Sequence, residues 1–146
     1  MTQVFCVGIS LWIMSGCANP DAPPALYPVE GRVTLDGKPL AGAVVTFEPG
    51  KHHGSSGVTN ELGFYFLQFR EGLPGAAAGG HVVTITTHRR ANKDQNLAEV
   101  PELVPAIYNE QSTLKVEVAK LPANEHNFEL LTTSKPPGKS KSSKDH

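Results

Sequence analysis

Several residue types are scarce in this 146-residue chain, and each scarcity narrows what the protein can be. It has two cysteines, one tryptophan and only 7% aromatic residues. The formal net charge of −1 argues against nucleic-acid binding, because capture of phosphates needs a concentrated excess of Lys and Arg. Gly and Pro are plentiful, at 14 and 12 residues. This composition favours one loop-rich domain with a modest core.

The longest apolar stretch lies at the start of the chain, at residues 4–14 (VFCVGISLWIM), and carries no charge. Its 11 residues are too few for a bilayer span of about 20, but they fit the roughly 7 to 15 residues of a signal-peptide core. The stretch therefore predicts export rather than a membrane span.

The residues after this stretch, Met14-Ser15-Gly16-Cys17, resemble the lipobox of bacterial lipoproteins. The resemblance implies that residues 1–16 are a signal peptide and that Cys17 is lipidated. Two features depart from the pattern, since Met14 replaces the usual leucine and no Lys or Arg precedes the apolar stretch. The alternative is an ordinary secretory peptide cut nearby, with Cys17 unmodified.

Removal of this segment would leave no thiol in the folded domain, because Cys6 lies within it and Cys17 would be acylated. Residues 17–28 are rich in proline and lack periodicity, which is typical of a short semi-rigid tether. Residues 132–146 carry four lysines against one aspartate, a net charge of +3, and are predicted to be a disordered basic tail. The folded domain is expected at residues 29–131.

The domain begins with a period-two pattern that predicts a half-buried strand. Val29, Gly31, Val33 and Leu35 fall on one face, and a turn follows at Asp36-Gly37. Similar runs recur along the chain, whereas no segment has a helical period. Residues 72–80 and 89–111 are expected to be irregular, with at most one helical turn at 96–103. The further strands are predicted at residues 43–48, 57–59, 64–69, 81–87, 114–118 and 128–130.

About seven short strands separated by Gly and Pro predict an all-β sandwich of two antiparallel sheets. We expect Phe64 and Phe66 to anchor its core. Tyr65 and Phe69 then fall on the opposite face, and with Tyr108 of the long loop they form a candidate ligand-binding platform if exposed. The alternative is that both faces of this strand are covered.

Three runs carry a resemblance to the carboxypeptidase regulatory-like family: GRVTLDGKPLAGAVVTFEP at 31–49, GVTNELGFYFL at 57–67 and GGHVVTI at 79–85. The resemblance implies a transthyretin-like, Greek-key β-sandwich. It also implies a non-catalytic module on a small exported lipoprotein of the bacterial cell envelope, facing the periplasm or the cell surface.

None of the six histidines sits in a recognisable catalytic or metal-binding motif, and the carboxylates are scattered singly. His52 and His53 are adjacent in a loop, and Glu125-His126 reads as a solvated turn. We therefore expect no metal, no cofactor and no enzymatic activity. The expected partners are the membrane, through the lipid, and a cell-surface glycan, peptide or protein. The expected function is that of a binding or structural module at the cell envelope. The alternative is a carbohydrate- or peptide-binding module that recognises a cell-surface polymer, and a hydrolase is the third.

Overall fold

A computed structural model of the protein describes residues 23–50, 53–70 and 72–133. This part of the chain forms strands and one short 3-10 helix, Ala106–Tyr108, and contains no α-helix. The all-β prediction is therefore confirmed. The predicted signal peptide, Cys17 and residues 134–146 lie outside the described residues. The strands are β1 (Leu26–Tyr27), β2 (Val29–Leu35), β3 (Lys38–Pro39), β4 (Val44–Glu48), β5 (Ser55–Val58), β6 (Phe64–Phe66), β7 (Gln68–Arg70), β8 (Leu73–Pro74), β9 (Ala76–Ala77), β10 (Gly79–Thr86), β11 (Leu114–Val118), β12 (Asn124–Glu125) and β13 (Phe128–Leu130).

The larger sheet has six strands in the order β11-β10-β4-β5-β7-β8, and all neighbours are antiparallel. β10 is its longest strand and lies between β11 and β4. Alternation along β10 turns Val83 and Ile85 into the core and Val82 outward. The β-branched run predicted at residues 81–87 is thus a strand, although it begins at Gly79.

The smaller sheet is built around β2, which pairs antiparallel with β3 and β6. On β2, Val29 and Val33 are buried as the period-two pattern predicts. β12 and β13 pair with β2 in parallel, so the expectation of purely antiparallel sheets is wrong at this point. After β11 the chain crosses from the larger sheet to the smaller one. Because this connection is a crossover and not a tight hairpin, β12 and β13 can run in the same direction as β2.

The core lies between the two sheets and joins side chains from both. Phe47 of the larger sheet meets Phe128 of the smaller one edge to face, with ring centroids 6.2 Å apart. Phe128 also stacks on Tyr65 at 6.4 Å. Aromatic pairs in these arrangements add stability beyond the area they bury. The two layers therefore form a β-sandwich with one continuous core.

Two segments predicted to be irregular are more ordered than expected. The run at residues 72–80 contains β8 and β9, and Ala76 and Ala77 are buried. Gly75 allows this, because a Cβ there would lie 2.4 Å from the carbonyl oxygen of Tyr27 in β1. β1 itself falls inside the predicted tether. In the long loop, the helical turn forms at Ala106–Tyr108 rather than at residues 96–103.

Candidate ligand groove

The aromatic strand β6 faces the opposite way from the one predicted. Phe64 and Phe66 were expected in the core, yet they are 44% and 64% exposed. Tyr65, between them, is fully buried. Its hydroxyl donates a hydrogen bond to the carbonyl oxygen of His126 at 2.7 Å. The prediction that Phe64 and Phe66 anchor the core is therefore wrong, and the buried tyrosine takes that position.

The reason lies in the neighbouring strand. Gly31 of β2 pairs directly with Tyr65, and a Cβ at Gly31 would lie 1.8 Å from the carbonyl oxygen of His126 and 2.9 Å from the tyrosine ring. The small residue leaves room for the large one on the inner face. Alternation over the longer stretch 64–70 also indicates which face is buried. One set of alternate residues is apolar throughout, whereas the other set ends in polar residues. The inner set is Tyr65, Leu67 and Phe69, and the outer set is Phe64, Phe66, Gln68 and Arg70.

The predicted platform of Tyr65, Phe69 and Tyr108 does not form. Tyr65 and Phe69 are buried, so the exposure that the platform requires is not met, and the alternative that these rings are covered is the one observed. Tyr108 is half-buried against the core, and its hydroxyl accepts a hydrogen bond from the backbone N–H of Leu131 at 3.3 Å. These three rings therefore stabilise the domain and do not offer a shared surface.

Instead, the outer face of the smaller sheet carries a groove, which we call the aromatic groove. Its volume is about 310 Å³. β2 and β6 contribute its floor, and β12 with the residues after it contributes one wall. Its lining combines two exposed phenyl rings with two carboxylates and an amide. The lining residues are Glu30, Gly31, Phe64, Tyr65, Phe66, Glu125 and Asn127.

Hydrogen bonds fix the wall of the aromatic groove. The backbone N–H of Arg32 donates to Oδ1 of Asn127 at 2.8 Å, and Nδ2 of Asn127 donates to Oε1 of Glu125 at 2.7 Å. The Arg32 side chain turns aside, because its Nε donates to the carbonyl oxygen of Leu62 and its guanidinium lies 5.5 Å from the ring centroid of Phe64. The Asn127 amide thus orients the Glu125 carboxylate, and the Arg32 guanidinium stabilises the position of the Phe64 ring.

Two of the histidines lie inside the sandwich. His81 is buried, and its Nε2 lies 2.8 Å from the carbonyl oxygen of Ala77. His126 is half-buried, so the expectation of a solvated Glu125-His126 turn is wrong at the histidine. The ring of Phe47 contacts both imidazoles, with centroids 5.8 Å apart in each case. These histidines are core residues that face one aromatic ring.

A second, more open cavity of about 650 Å³ lies beside His88 on the larger sheet. His88 is 3.8 Å from Glu99 in a surface ion pair. In the cavity wall, partial burial raises the pKa of Glu102, but hydrogen bonds from Thr86, Thr87 and Val104 outweigh it and bring the pKa down to about 2. Glu102 is thus fully ionised near neutral pH and poorly matched to general acid-base work.

Within the described ranges, no three His, Cys, Asp or Glu side chains converge in a way that could hold a metal ion. No helix in the described part of the chain has the length and hydrophobicity of a membrane span. His52 and His146 lie outside the described residues, and His53 is exposed.

Comparison with family models, with curated proteins and with solved structures finds no match to this chain. The likeness to the carboxypeptidase regulatory-like family therefore stays a prediction.

Proposed function

We propose that this protein is a non-catalytic, exported module of the bacterial cell envelope that binds a cell-surface polymer through the aromatic groove. A lipid on Cys17 holds it at a membrane. The lipobox-like residues 14–17 and the proline-rich segment after them support the anchor. The β-sandwich supplies a rigid face on which the groove is presented.

The observation that carries the proposal is the outward exposure of Phe64 and Phe66. Phenyl rings are normally buried, and each exposed ring leaves apolar area in water that a ligand can cover. Residues two apart on a strand stand roughly 6.7 Å from each other on one face. The rings therefore form a short apolar track beside the polar wall of Glu125 and Asn127, which matches a ligand with both apolar and hydroxyl-bearing surfaces.

A purely architectural module is the second version of this function. It would use the fold as a spacer and would have no need of the groove. The paired rings favour the ligand-binding version, because an architectural surface is better served by polar side chains at these outward positions. The polymer is a glycan or a peptide of the cell surface.

The test is binding of the purified chain to isolated cell-wall sacculi and to a panel of cell-surface glycans. Replacing Phe64 and Phe66 together by Ala is expected to weaken binding at least tenfold, or about 1.4 kcal/mol, because the stacking surface is lost. The matched control is the double replacement of Leu103 and Leu121 by Ala, which removes exposed apolar side chains outside the groove.

The control variant should bind like the unmodified protein. Thermal unfolding of both variants checks that each remains folded. Equal binding by both double variants, or binding to none of the polymers, would contradict the ligand-binding version.

A further inference from the structure

Two carboxylates stand side by side in the aromatic groove. Glu30 of β2 and Glu125 of β12 are direct partners in the parallel register. Both side chains point outward, because their neighbours Val29 and Asn124 are buried. Adjacent strands are only about 4.8 Å apart, and like charges placed directly opposite each other destabilise a sheet. The fold therefore holds an unfavourable charge pair at this position.

No positively charged side chain offsets this pair within the described residues. The nearest candidate on the same face, Arg32, forms no ion pair with either carboxylate and turns toward Leu62 and Phe64. Asn127 orients Glu125 through one hydrogen bond. Among the described residues, no hydrogen-bond donor satisfies the side chain of Glu30. Both carboxylates are exposed, so they are accessible to a cationic group of a ligand.

The cross-strand partner of Glu30 on its other side is Phe66. One row across three strands therefore reads Phe66, Glu30, Glu125, with an exposed ring beside the two carboxylates. A ring face and paired carboxylates are together the chemistry that recognises an organic ammonium group. A metal ion would use the carboxylates but would gain nothing from the phenyl ring.

We propose, resting on the ligand-binding function above, that the aromatic groove recognises a glycan with free amino groups, with Glu30 and Glu125 holding the ammonium. In an amino sugar the ammonium is attached directly to the sugar ring. The ring can therefore lie on Phe66 while the ammonium reaches the carboxylates in the same row. A lysine ammonium stands on a flexible stem of four methylenes, so covering Phe66 while reaching the carboxylates costs it more conformational entropy than it costs a rigid sugar ring.

The test compares three probes by calorimetry on the full chain without its signal peptide: a glucosamine hexamer, an N-acetylglucosamine hexamer and hexalysine. The glucosamine hexamer is expected to bind at least tenfold more tightly than either of the others. Glu30→Gln and Glu125→Gln should each remove most of that preference, because amides keep the shape of the side chains and lose their charge. Glu129→Gln is the matched control, since Glu129 is exposed on β13 and lies outside the groove.

A second readout separates a binding role from a structural one. Glu30→Gln should raise the midpoint of thermal unfolding of the free protein, because the like-charge pair is relieved, while it weakens binding of the glucosamine hexamer.

Three results would overturn the inference. Equal binding of the two sugar hexamers, lost when Phe64 and Phe66 become Ala, would keep the ligand-binding function and reject the ammonium. Hexalysine binding as tightly as the glucosamine hexamer would reject the amino sugar. Binding of neither sugar, together with failure of the sacculus test, would reject the parent function as well.

Discussion

Single residues inside the sandwich tie its stability to pH, and His126 is the clearest case. Burial lowers the pKa of His126, a backbone hydrogen bond with Glu117 raises it, and nearby His81 lowers it again, so the net pKa is below the ordinary value. Nε2 of His126 and Nδ1 of His81 are buried without a hydrogen-bond partner in the described part of the chain. A proton on the His126 ring would therefore be poorly solvated.

We predict that the protein loses stability as the pH falls from 7.5 to 5.5. The unfolded chain binds a proton at His126 near pH 6.5, whereas the folded protein resists it until a lower pH. The contribution is thus fully present above about pH 6.5 and is lost as the pH falls toward the folded pKa. The ionised Glu102, with its pKa of about 2, loses its own contribution only below about pH 4.5, outside this window.

Urea denaturation at the two pH values measures the effect. His126→Gln should show a smaller drop in the free energy of unfolding than the unmodified protein. The exposed His53, replaced by Gln, should leave the drop unchanged. If the free energy of unfolding of His126→Gln fell as much as that of the unmodified protein, His126 would not be the source of the pH dependence.

At the scale of elements, a corner between β6 and β7 connects the two sheets. β6 pairs with β2 in the smaller sheet, and β7, one residue later, pairs with β5 in the larger sheet. Leu67 lies between them and is buried. This corner brings β5 very close to the backbone of β6, because a Cβ at Gly57 would lie 2.2 Å from the carbonyl oxygen of Phe66.

We predict that Gly57→Ala lowers the free energy of unfolding by about 1 to 3 kcal/mol, because the added methyl forces the two backbones apart. Gly50→Ala is the matched control, since nothing lies within 4 Å of a Cβ at that position. Its effect should stay within about 0.5 kcal/mol. Chemical denaturation of both variants makes the comparison, and an equal, small effect would show that the corner tolerates a side chain.

At the scale of the whole molecule, few residues separate the proposed anchor at Cys17 from the sandwich. Residues 18–25 separate Cys17 from β1, which begins at Leu26. Eight residues at full extension reach at most about 29 Å. A lipid on Cys17 would therefore keep the aromatic groove close to the membrane, within reach of polymers near its surface.

We predict that Cys17→Ser moves the protein from the membrane fraction to the soluble fraction, because the acylated residue is lost. Fractionation of cells with and without detergent measures this. Cys6→Ser is the control, since that cysteine lies within the proposed signal peptide and should not affect the distribution. Unchanged membrane association of Cys17→Ser would refute the anchor.

The sequence by itself determined the class of the fold and the position of most strands. Period-two alternation specifies which residues share a face. It placed Val29 and Val33 together on the buried face correctly, because the opposite face of β2 is polar. The frequent Gly and Pro residues argued against long helices, because both residue types disfavour a helix interior. These features depend on neighbours in the chain, so they can be read without the fold.

Only the tertiary structure decided which face of β6 points inward, and with it the candidate site. Both faces of β6 carry large apolar rings, and the polar residues that mark the outer face, Gln68 and Arg70, lie in β7 of the other sheet, so alternation within β6 alone cannot choose between the faces. The inward position of Tyr65 depends on contacts with distant segments, because Gly31, 34 positions away in the chain, leaves space for the tyrosine ring and for the His126 carbonyl that accepts its hydrogen bond. The pairing of Glu30 with Glu125 is likewise a contact between distant segments, because a parallel register is fixed by packing of the two layers and not by any local pattern.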